Sequence, residues 1–316
     1  MNPIGLHHVT AIASDPQRNL DFYSGLLGLR LVKRTVNFDD PGSYHFYFGD
    51  AVGTPGTILT FFPWPNARQG RRGVGEVAAT ALAIPAGSED FWIARLKEHR
   101  VAVELTTARF GEPVIRFADP DGMVVELIAG PSLAVTNWND GPIPAAMAAR
   151  GFHGVTLALA NLEPTAKLLT DALGYEIVRE EGDSLRLRAR GDSAPGKTIN
   201  LLRIADGRRG LTAAGSVHHI AFRAPDEATQ ITWRENLVAL GTDVSPVMDR
   251  TYFRSIYFRE PGGVLFEIAT DGPGFTHDEP AEELGEHLNL PRWMESARSR
   301  IEAMLPPITL PTNAHA

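Results

Sequence analysis

The chain has 316 residues, room for about two domains, and its 43% apolar and 22% charged residues are the balance of a soluble globular protein. Lys and Arg total 30 against 38 Asp and Glu, a formal net charge of −8 that speaks against nucleic-acid or anionic-lipid partners. With no cysteine, disulfides, thiolate metal sites and cysteine nucleophiles are excluded, and any metal must be held by histidine or oxygen ligands.

The opening MNPIGLHHVT has neither a basic n-region nor a long apolar run, so no signal peptide is expected. No run of about 18 apolar residues occurs, so no membrane span is expected and a cytoplasmic location is the default. Four similar units follow, each a short apolar strand, a helix and about three more strands. Unit one opens with HHVTAIAS. Its helix starts at Asp15-Pro16, an N-cap followed by proline at the first helical position, and Gly28 ends it. Leu20, Tyr23 and Leu27 share one helical face. Unit two begins near Glu76 with EVAATALAIP, continues through the helix SEDFWIARLKEHR and closes with DPDGMVVELIAG. A proline-rich segment, PSLAVTNWNDGPIPAAMAAR, reads as a linker. Unit three opens with FHGVTLALA, its helix lies between Asn161 and Gly174, and TINLLRI closes it. Unit four opens with VHHIAFRAP, runs helical from about Asp226 to Leu240, and closes with YFRSIYFRE and GGVLFEIAT. A tail after Thr270 carries one expected helix from about Pro291 to Met304. The predicted division is 1–130, linker 131–150, 151–270 and a helical tail 271–316.

Polar residues inside apolar strands are the informative exceptions. In the first strands, the position of His8 becomes about Val77, Gly154 and His219 in the later units. In the last strands the matched positions are Thr60, Glu126, Asn200 and Glu267. Only a pairing of units one and four assembles two imidazoles and a carboxylate: His8, His219 and Glu267. Two histidines and one carboxylate with other positions open form the facial set of non-haem Fe(II) oxygenases. Glu267 stands among Val264, Leu265, Phe266, Ile268 and Ala269, where a carboxylate without a cation costs several kcal/mol. Glu126 has no histidine partners and reads as a remnant of duplication, with Arg116 or Arg109 as its counter-ion.

His7-His8 and His218-His219 form doublets, and strand alternation lets only one member of each face a given metal readily. Of the other histidines, His45 is expected packed or at a pocket rim, His99 ends a helix, His153 echoes His7, and His277, His287 and His315 fall in the tail. The run DRTYFRSIYFREPGG gathers Arg250, Tyr252, Arg254, Tyr257 and Arg259. Its turn places Tyr257 on the strand beside Glu267, so Tyr257 can reach the same pocket and Arg250 can neutralise a phenolate.

GLHHVTAIASDPQRNLDFYSGLLGLRLVKRTVNFDDPGSYHFYFGD, SVHHIAFRAPD, DRTYFRSIYFREPGG and VLFEIATDGPGF together resemble the ring-cleaving dioxygenases of the vicinal oxygen chelate superfamily (glyoxalase, bleomycin resistance and extradiol dioxygenase proteins), in the hydroquinone branch. The resemblance spans nearly the whole chain, including DEPAEELGEHLNLP. It implies an α+β fold of four βαβββ modules in two cupped, mostly antiparallel sheet barrels, with modules one and four sharing the metal site. It selects the second histidine of each doublet, so that His8, His219 and Glu267 are the ligands and His7 and His218 stand behind them. Thr10, Arg250 and Tyr257 match positions associated with substrate handling, and His7, His218 or Tyr257 would act as general acid. The implied activity is an Fe(II)-dependent, extradiol-type opening of a para-dihydroxylated ring, chlorinated or alkylated, with O2 as co-substrate and Mn(II) as the alternative metal. The expected partner is a small aromatic substrate, with no nucleic acid and no membrane; a homo-oligomer is left open. Two other readings remain. One is a glyoxalase- or epimerase-like enzyme using Zn, Ni or Co, which favours an extra carboxylate completing a four-ligand set, where this chain has Thr60. The other is a non-catalytic binder of aromatic or antibiotic molecules.

Overall fold

The computed structural model describes residues 1, 4–107, 109–130, 133, 135–191, 194–205 and 207–310. His315 and the end of the predicted tail lie outside the described residues, as do Pro131, Ser132 and Ala134 of the predicted linker and the side chain of Arg109.

Each predicted unit folds as strand, helix and three strands. Module one is β1 (Leu6–Ala13), α1 (Pro16–Leu20), β2 (Arg30–Asn37), β3 (Asp40–Gly49) and β4 (Ile58–Pro63). Module two is β5 (Glu76–Pro85), α2 (Glu89–Glu98), β6 (Glu104–Thr107), β7 (Pro113–Ala118) and β8 (Val124–Gly130). Module three is β9 (Phe152–Leu159), α3 (Glu163–Lys167), β10 (Glu176–Glu181), β11 (Ser184–Arg188) and β12 (Thr198–Arg203). Module four is β13 (Ser216–Ala224), α4 (Glu227–Ala239), β14 (Met248–Asp249), β15 (Phe253–Arg259) and β16 (Leu265–Pro273).

Local chemistry sets the helix ends. Asp15 accepts from the Arg18 amide at 2.8 Å, and Asp226 from the Thr229 amide at 2.7 Å, each quenching an unpaired first-turn donor. Proline at N1 of α1 loses no helical bond. Beyond α1 and α3 the chain widens into π-helical turns over Asp21–Leu26 and Leu168–Ala172, which the sequence pattern did not distinguish from continued α-helix. Gly28 then turns the chain at φ 68°, and a Cβ there would lie 2.3 Å from Ile143 Cγ1, so linker residue Ile143 seals this helix end only against glycine. Leu20, Tyr23 and Leu27 are buried, as their shared helical face predicts.

The strands form two eight-stranded mixed sheets, ordered β14-β15-β16-β13-β1-β4-β3-β2 and β10-β11-β12-β9-β5-β8-β7-β6. One sheet thus joins modules one and four, the other modules two and three. The first and last strands of each module pair in parallel, and the two modules of a sheet meet antiparallel at β1·β13 and β5·β9.

The chain after β16 covers the open edge of β2, where the Asn289 amide donates to the Arg34 carbonyl at 2.9 Å. The single tail helix expected over 291–304 is two pieces, a 3-10 stretch Arg292–Ala297 and a short α5 (Arg298–Met304). The first piece is tightened by an i→i+3 bond from the Met294 amide to the Pro291 carbonyl at 2.8 Å, and Ala297 (φ −103°, ψ 7°) breaks the α geometry between the two. Among the described residues, no helix is long and apolar enough to cross a membrane.

Candidate metal centre

The β1·β13 seam carries the two histidine doublets, and both sit at β-bulges. The pairing skips a residue between Leu6 and His8 on β1, and shifts again where Thr10 and Ala11 face His219 and Val217 on β13. The extra residues are His7 and His218. A bulge suspends strict alternation and re-aims side chains. The rings of each doublet consequently touch, with Nδ1···Nδ1 separations of 2.9 Å for His7 and His8 and 2.7 Å for His218 and His219. That leaves Nε2 of His8 and of His219 pointing across the seam at each other, 3.2 Å apart.

Glu267 reaches the same point from β16. Its Oε2 lies 3.3 Å from His8 Nε2 and 2.9 Å from His219 Nε2. Among the described residues these three side chains are the one group of three or more His, Asp or Glu whose ligand atoms converge within 4.8 Å. The triangle has edges of 2.9, 3.2 and 3.3 Å. Three mutually adjacent ligands of an octahedral ion, with bonds of about 2.1 Å, stand about 3.0 Å apart, and tetrahedral ligands about 3.4 Å apart. The face of an octahedron fits the observed edges better. Glu267 is fully buried, and its Oε2 has no hydrogen-bond donor, while Oε1 accepts from Ser255. With each imidazole Nδ1 engaged by its doublet partner, two ring lone pairs and a carboxylate oxygen face one point, an arrangement that a cation relieves.

The protonation states suit this. Burial would raise the Glu267 pKa, but His8 and His219 outweigh it and hold the carboxyl well below its usual range. Burial lowers His219, more than Glu267 raises it. Burial and the neighbouring His219 push His218 down to about 3, and burial with His8 pushes His7 well down. An ionised carboxylate beside a neutral His219 imidazole is the ligand state a metal requires.

A cavity of about 360 Å³ opens over the triad, within the size range of small-molecule sites. Thr10, His218, Arg250 and Tyr257 line it. His7 does not; it is buried behind His8, against the Phe253 ring at 5.0 Å. Tyr257 pairs with Glu267 across β15 and β16 and accepts from Arg250 Nε at 3.2 Å, and burial raises its pKa so that it stays a phenol. Asp39 Oδ2 lies 3.6 Å from Arg250 Nη1. Trp64, Phe62, His45 and Tyr47 form one wall of overlapping rings, with successive centroids 5.4, 4.3 and 4.0 Å apart.

His45 and Tyr47 were not singled out as site residues from the sequence. The signal lay in the penultimate strands: Tyr47 faces Thr60 across β3 and β4 as Tyr257 faces Glu267. Thr60, at the fourth last-strand position, is held by Thr10 and His45. One matched position needs correction. Glu126 pairs with Ala81 as Glu267 pairs with Ala221, so the counterpart of His8 in module two is Ala79, not Val77. The bulge between Val77 and Ala79 on β5 matches the one between Leu6 and His8 on β1.

The β5–β12 sheet repeats the frame with other chemistry. The cross-strand mates of Glu126 and Asn200 are Arg116 and Arg186. Arg116 binds Glu126 with Nε at 3.0 Å and Arg186 binds Asn200 at 2.9 Å, while the Arg186 guanidinium covers the buried Phe110 ring at 4.4 Å. The counterpart of His219 is Gly154, where a Cβ would lie 2.1 Å from the Thr198 carbonyl oxygen. A histidine therefore does not fit at this matched position.

The family model described as Glyoxalase/Bleomycin resistance protein/Dioxygenase superfamily matches residues 5–127 and 151–268. The chain belongs to this superfamily. Within the superfamily, MhqO of Bacillus subtilis (strain 168), provisionally named a ring-cleaving dioxygenase, is 48% identical over 304 residues, 96% of each chain. The chlorohydroquinone/hydroquinone 1,2-dioxygenase of Sphingobium indicum is 35% identical over 304 residues, 94% of each chain. A crystal structure of a Bacillus subtilis protein, provisionally named a dioxygenase, superposes with a TM-score of 0.94 at 47% identity, covering 98% of this chain and 99% of that one. Glyoxalase I from Zea mays, at 15% identity and a TM-score of 0.64 over 90% of this chain and 97% of its own, shares the fold.

Proposed function

We propose that this chain is a ring-cleaving dioxygenase that opens a hydroquinone-type ring, with His8, His219 and Glu267 holding Fe(II). The observation that carries the reading is the buried facial triangle of two Nε2 atoms and an unpartnered carboxylate oxygen, set in the floor of an aromatic-walled cavity. The names of its relatives support the substrate class, among them the chlorohydroquinone/hydroquinone 1,2-dioxygenase that matches along 94% of this chain. A facial triad leaves the remaining coordination positions on the cavity side, and bound Fe(II) would supply there the electron transfer that lets a phenol react with dioxygen.

The chain's own residues do the rest. The wall of Trp64, Phe62, His45 and Tyr47 orients a flat ring by stacking and excludes water. A hydroquinone has its hydroxyls para, so one oxygen at a time approaches the triad. His218, neutral and lining the cavity, accepts a hydrogen bond from that hydroxyl and orients it. The Arg250 guanidinium favours the substrate anion. Tyr257, kept protonated by burial, donates its hydroxyl proton toward oxygen as negative charge develops. His7 lies off the cavity and acts on His8 alone, fixing its tautomer through Nδ1. The balanced reaction adds both atoms of O2 to the substrate, breaking one ring bond beside a hydroxyl-bearing carbon.

The test is oxygen uptake by the anaerobically Fe(II)-loaded chain with hydroquinone, methylhydroquinone and chlorohydroquinone, against catechols. The expected result is stoichiometric oxygen consumption with para-diols and a ring-opened product carrying two labelled atoms from 18O2. Loaded protein that consumes no oxygen with any para-diol overturns the substrate class.

A further inference from the structure

Four side chains on the cavity wall form an unbroken hydrogen-bonded chain. Tyr47 Oη meets His45 Nδ1 at 2.9 Å, His45 Nε2 meets Thr60 Oγ1 at 2.9 Å, and Thr60 Oγ1 meets Thr10 Oγ1 at 2.9 Å. Thr60 is fully buried behind the wall, while Thr10, His45 and Tyr47 line the cavity. Thr10 stands beside the triad: it is two residues from His8 on β1 and pairs with His219 across the seam.

Each link holds one proton, and a neutral imidazole carries a single N–H. Thr60 is fully buried and has no acceptor for its own proton among the described residues besides His45 and Thr10, so it does not accept from both, and the four groups all donate in the same direction. In one polarity Tyr47 donates to Nδ1, Nε2–H donates to Thr60, Thr60 donates to Thr10, and the Thr10 O–H is left pointing into the cavity. In the other, Thr10 donates inward and the chain ends in a Tyr47 O–H. Both end hydroxyls are 1% exposed and neither has an acceptor outside the chain among the described residues, so the place of the free donor separates the two: at Thr10 it stands beside the triad, and at Tyr47 among the rings of Tyr252, Phe253 and Phe275. The first polarity also turns a donor, rather than a lone pair, toward the site of the Glu267 carboxylate and an anionic substrate.

We propose that Tyr47, His45 and Thr60 are positioning residues that fix the hydroxyl proton of Thr10 toward the triad, where it donates to the oxygen on which negative charge develops. Thr10 touches that oxygen; the other three set the direction of its proton. This rests on the dioxygenase reading for its consequence in turnover, but not for the polarity itself.

Two measurements separate the two ideas. Long-range 1H–15N correlation on the full 15N-histidine-labelled chain, metal-free and with Zn(II), reports the His45 tautomer, with the resonance identified by its loss in His45→Gln. The expected state is Nε2–H with a bare Nδ1, switching to Nδ1–H in Thr60→Val, where Tyr47 becomes the remaining partner. An Nδ1–H wild type overturns the relay whatever the enzyme does. In the Fe(II)-loaded chain, Thr60→Val is expected to lower kcat about tenfold, the size of one hydrogen bond, with KM for the aromatic substrate and metal content unchanged. Thr10→Val should match it, the double variant should be no slower, and Thr60→Ser should recover. Wild-type kcat in Thr60→Val beside a slow Thr10→Val overturns the proposal. If the wild type itself consumes no oxygen, the dioxygenase reading fails and the tautomer alone decides the relay.

Discussion

Replacing Lys33 by Met probes how the tail holds the cavity. Lys33 on β2 is fully buried, its ammonium bonded to Asp278 at 2.6 Å and to Glu279, and 5.0 Å from the Tyr252 ring centroid. Tyr252 donates to the other oxygen of Asp278 at 3.0 Å. Tyr252 in turn packs with Tyr47, Phe253 and Phe275, two of which line the cavity. Met keeps the side-chain bulk but strands two carboxylates, of which the Glu279 side chain is 4% exposed and that of Asp278 28%. Breaking such a buried pair costs about 3–5 kcal/mol. Proton uptake by a stranded carboxylate caps this at about 1.4 kcal/mol per pH unit above the ordinary glutamate range, roughly 4 kcal/mol at pH 7.5 and under ~2 kcal/mol at pH 5.5. Equilibrium urea unfolding of the metal-free proteins should therefore show Lys33→Met less stable by about 3–4 kcal/mol at pH 7.5 and by less than half of that at pH 5.5. The Lys33→Met/Asp278→Asn/Glu279→Gln triple variant should recover most of the loss. A deficit below about 1 kcal/mol at pH 7.5, or one that neither acid nor the triple variant relieves, would refute this account of the tether.

Tyr257→Phe should lower kcat by about a hundredfold while metal content stays at the wild-type level; unchanged turnover removes Tyr257 from proton donation. Arg250→Met should raise KM for the para-diol and move the acidic limb of the kcat/KM profile to higher pH, because the substrate anion loses its neighbouring cation; an unmoved limb contradicts that role. The metal-free chain should lose stability as pH falls below about 6.5. His218 titrates near 3 when folded, and His7 and His45 are also lowered by burial, so the unfolded chain takes up protons that the folded one refuses. The stability they contribute is complete above the unfolded histidine range and declines by about 1.4 kcal/mol per pH unit for each such group. His45→Gln should reduce that slope in urea titrations between pH 7.5 and 5.5, and an equal slope in the variant counts against the burial argument.

The modular plan was legible because the units share punctuation: a glycine after the helix in units one, three and four (Gly28, Gly174 and Gly241), where unit two has Arg100 at φ 58°, and a DPDG or EPGG turn before the last strand in units two and four. The meeting of His8, His219 and Glu267 was legible because only modules one and four carry histidines and a carboxylate at matched places, and the structure brings the three together. The bulges were not legible. Alternation assigns His7 and His218 to the wrong face for contact with their neighbours, yet one inserted residue at each doublet lets the rings meet through Nδ1. The matched position in module two, Ala79 rather than Val77, needed the parallel register of β5 with β8, which the sequence does not print. His45 was expected packed or at a pocket rim and does line the cavity, but its hydrogen-bonded chain was not legible, because its partners are ordinary in sequence, a threonine on the next strand and a tyrosine two residues on, and only the strand register joins them.

The central claim is that one ferrous ion sits on the face formed by His8, His219 and Glu267. Anaerobic titration of the metal-free chain with Fe(II), followed by removal of free metal and elemental analysis, tests it most directly. The account predicts about one Fe per chain for the wild type, a near-complete loss in His8→Ala, His219→Ala and Glu267→Gln, and full retention in Glu126→Gln, whose carboxylate is held by Arg116 in the other sheet. Wild-type protein that retains no metal, or triad variants that retain it as well as Glu126→Gln does, would contradict it.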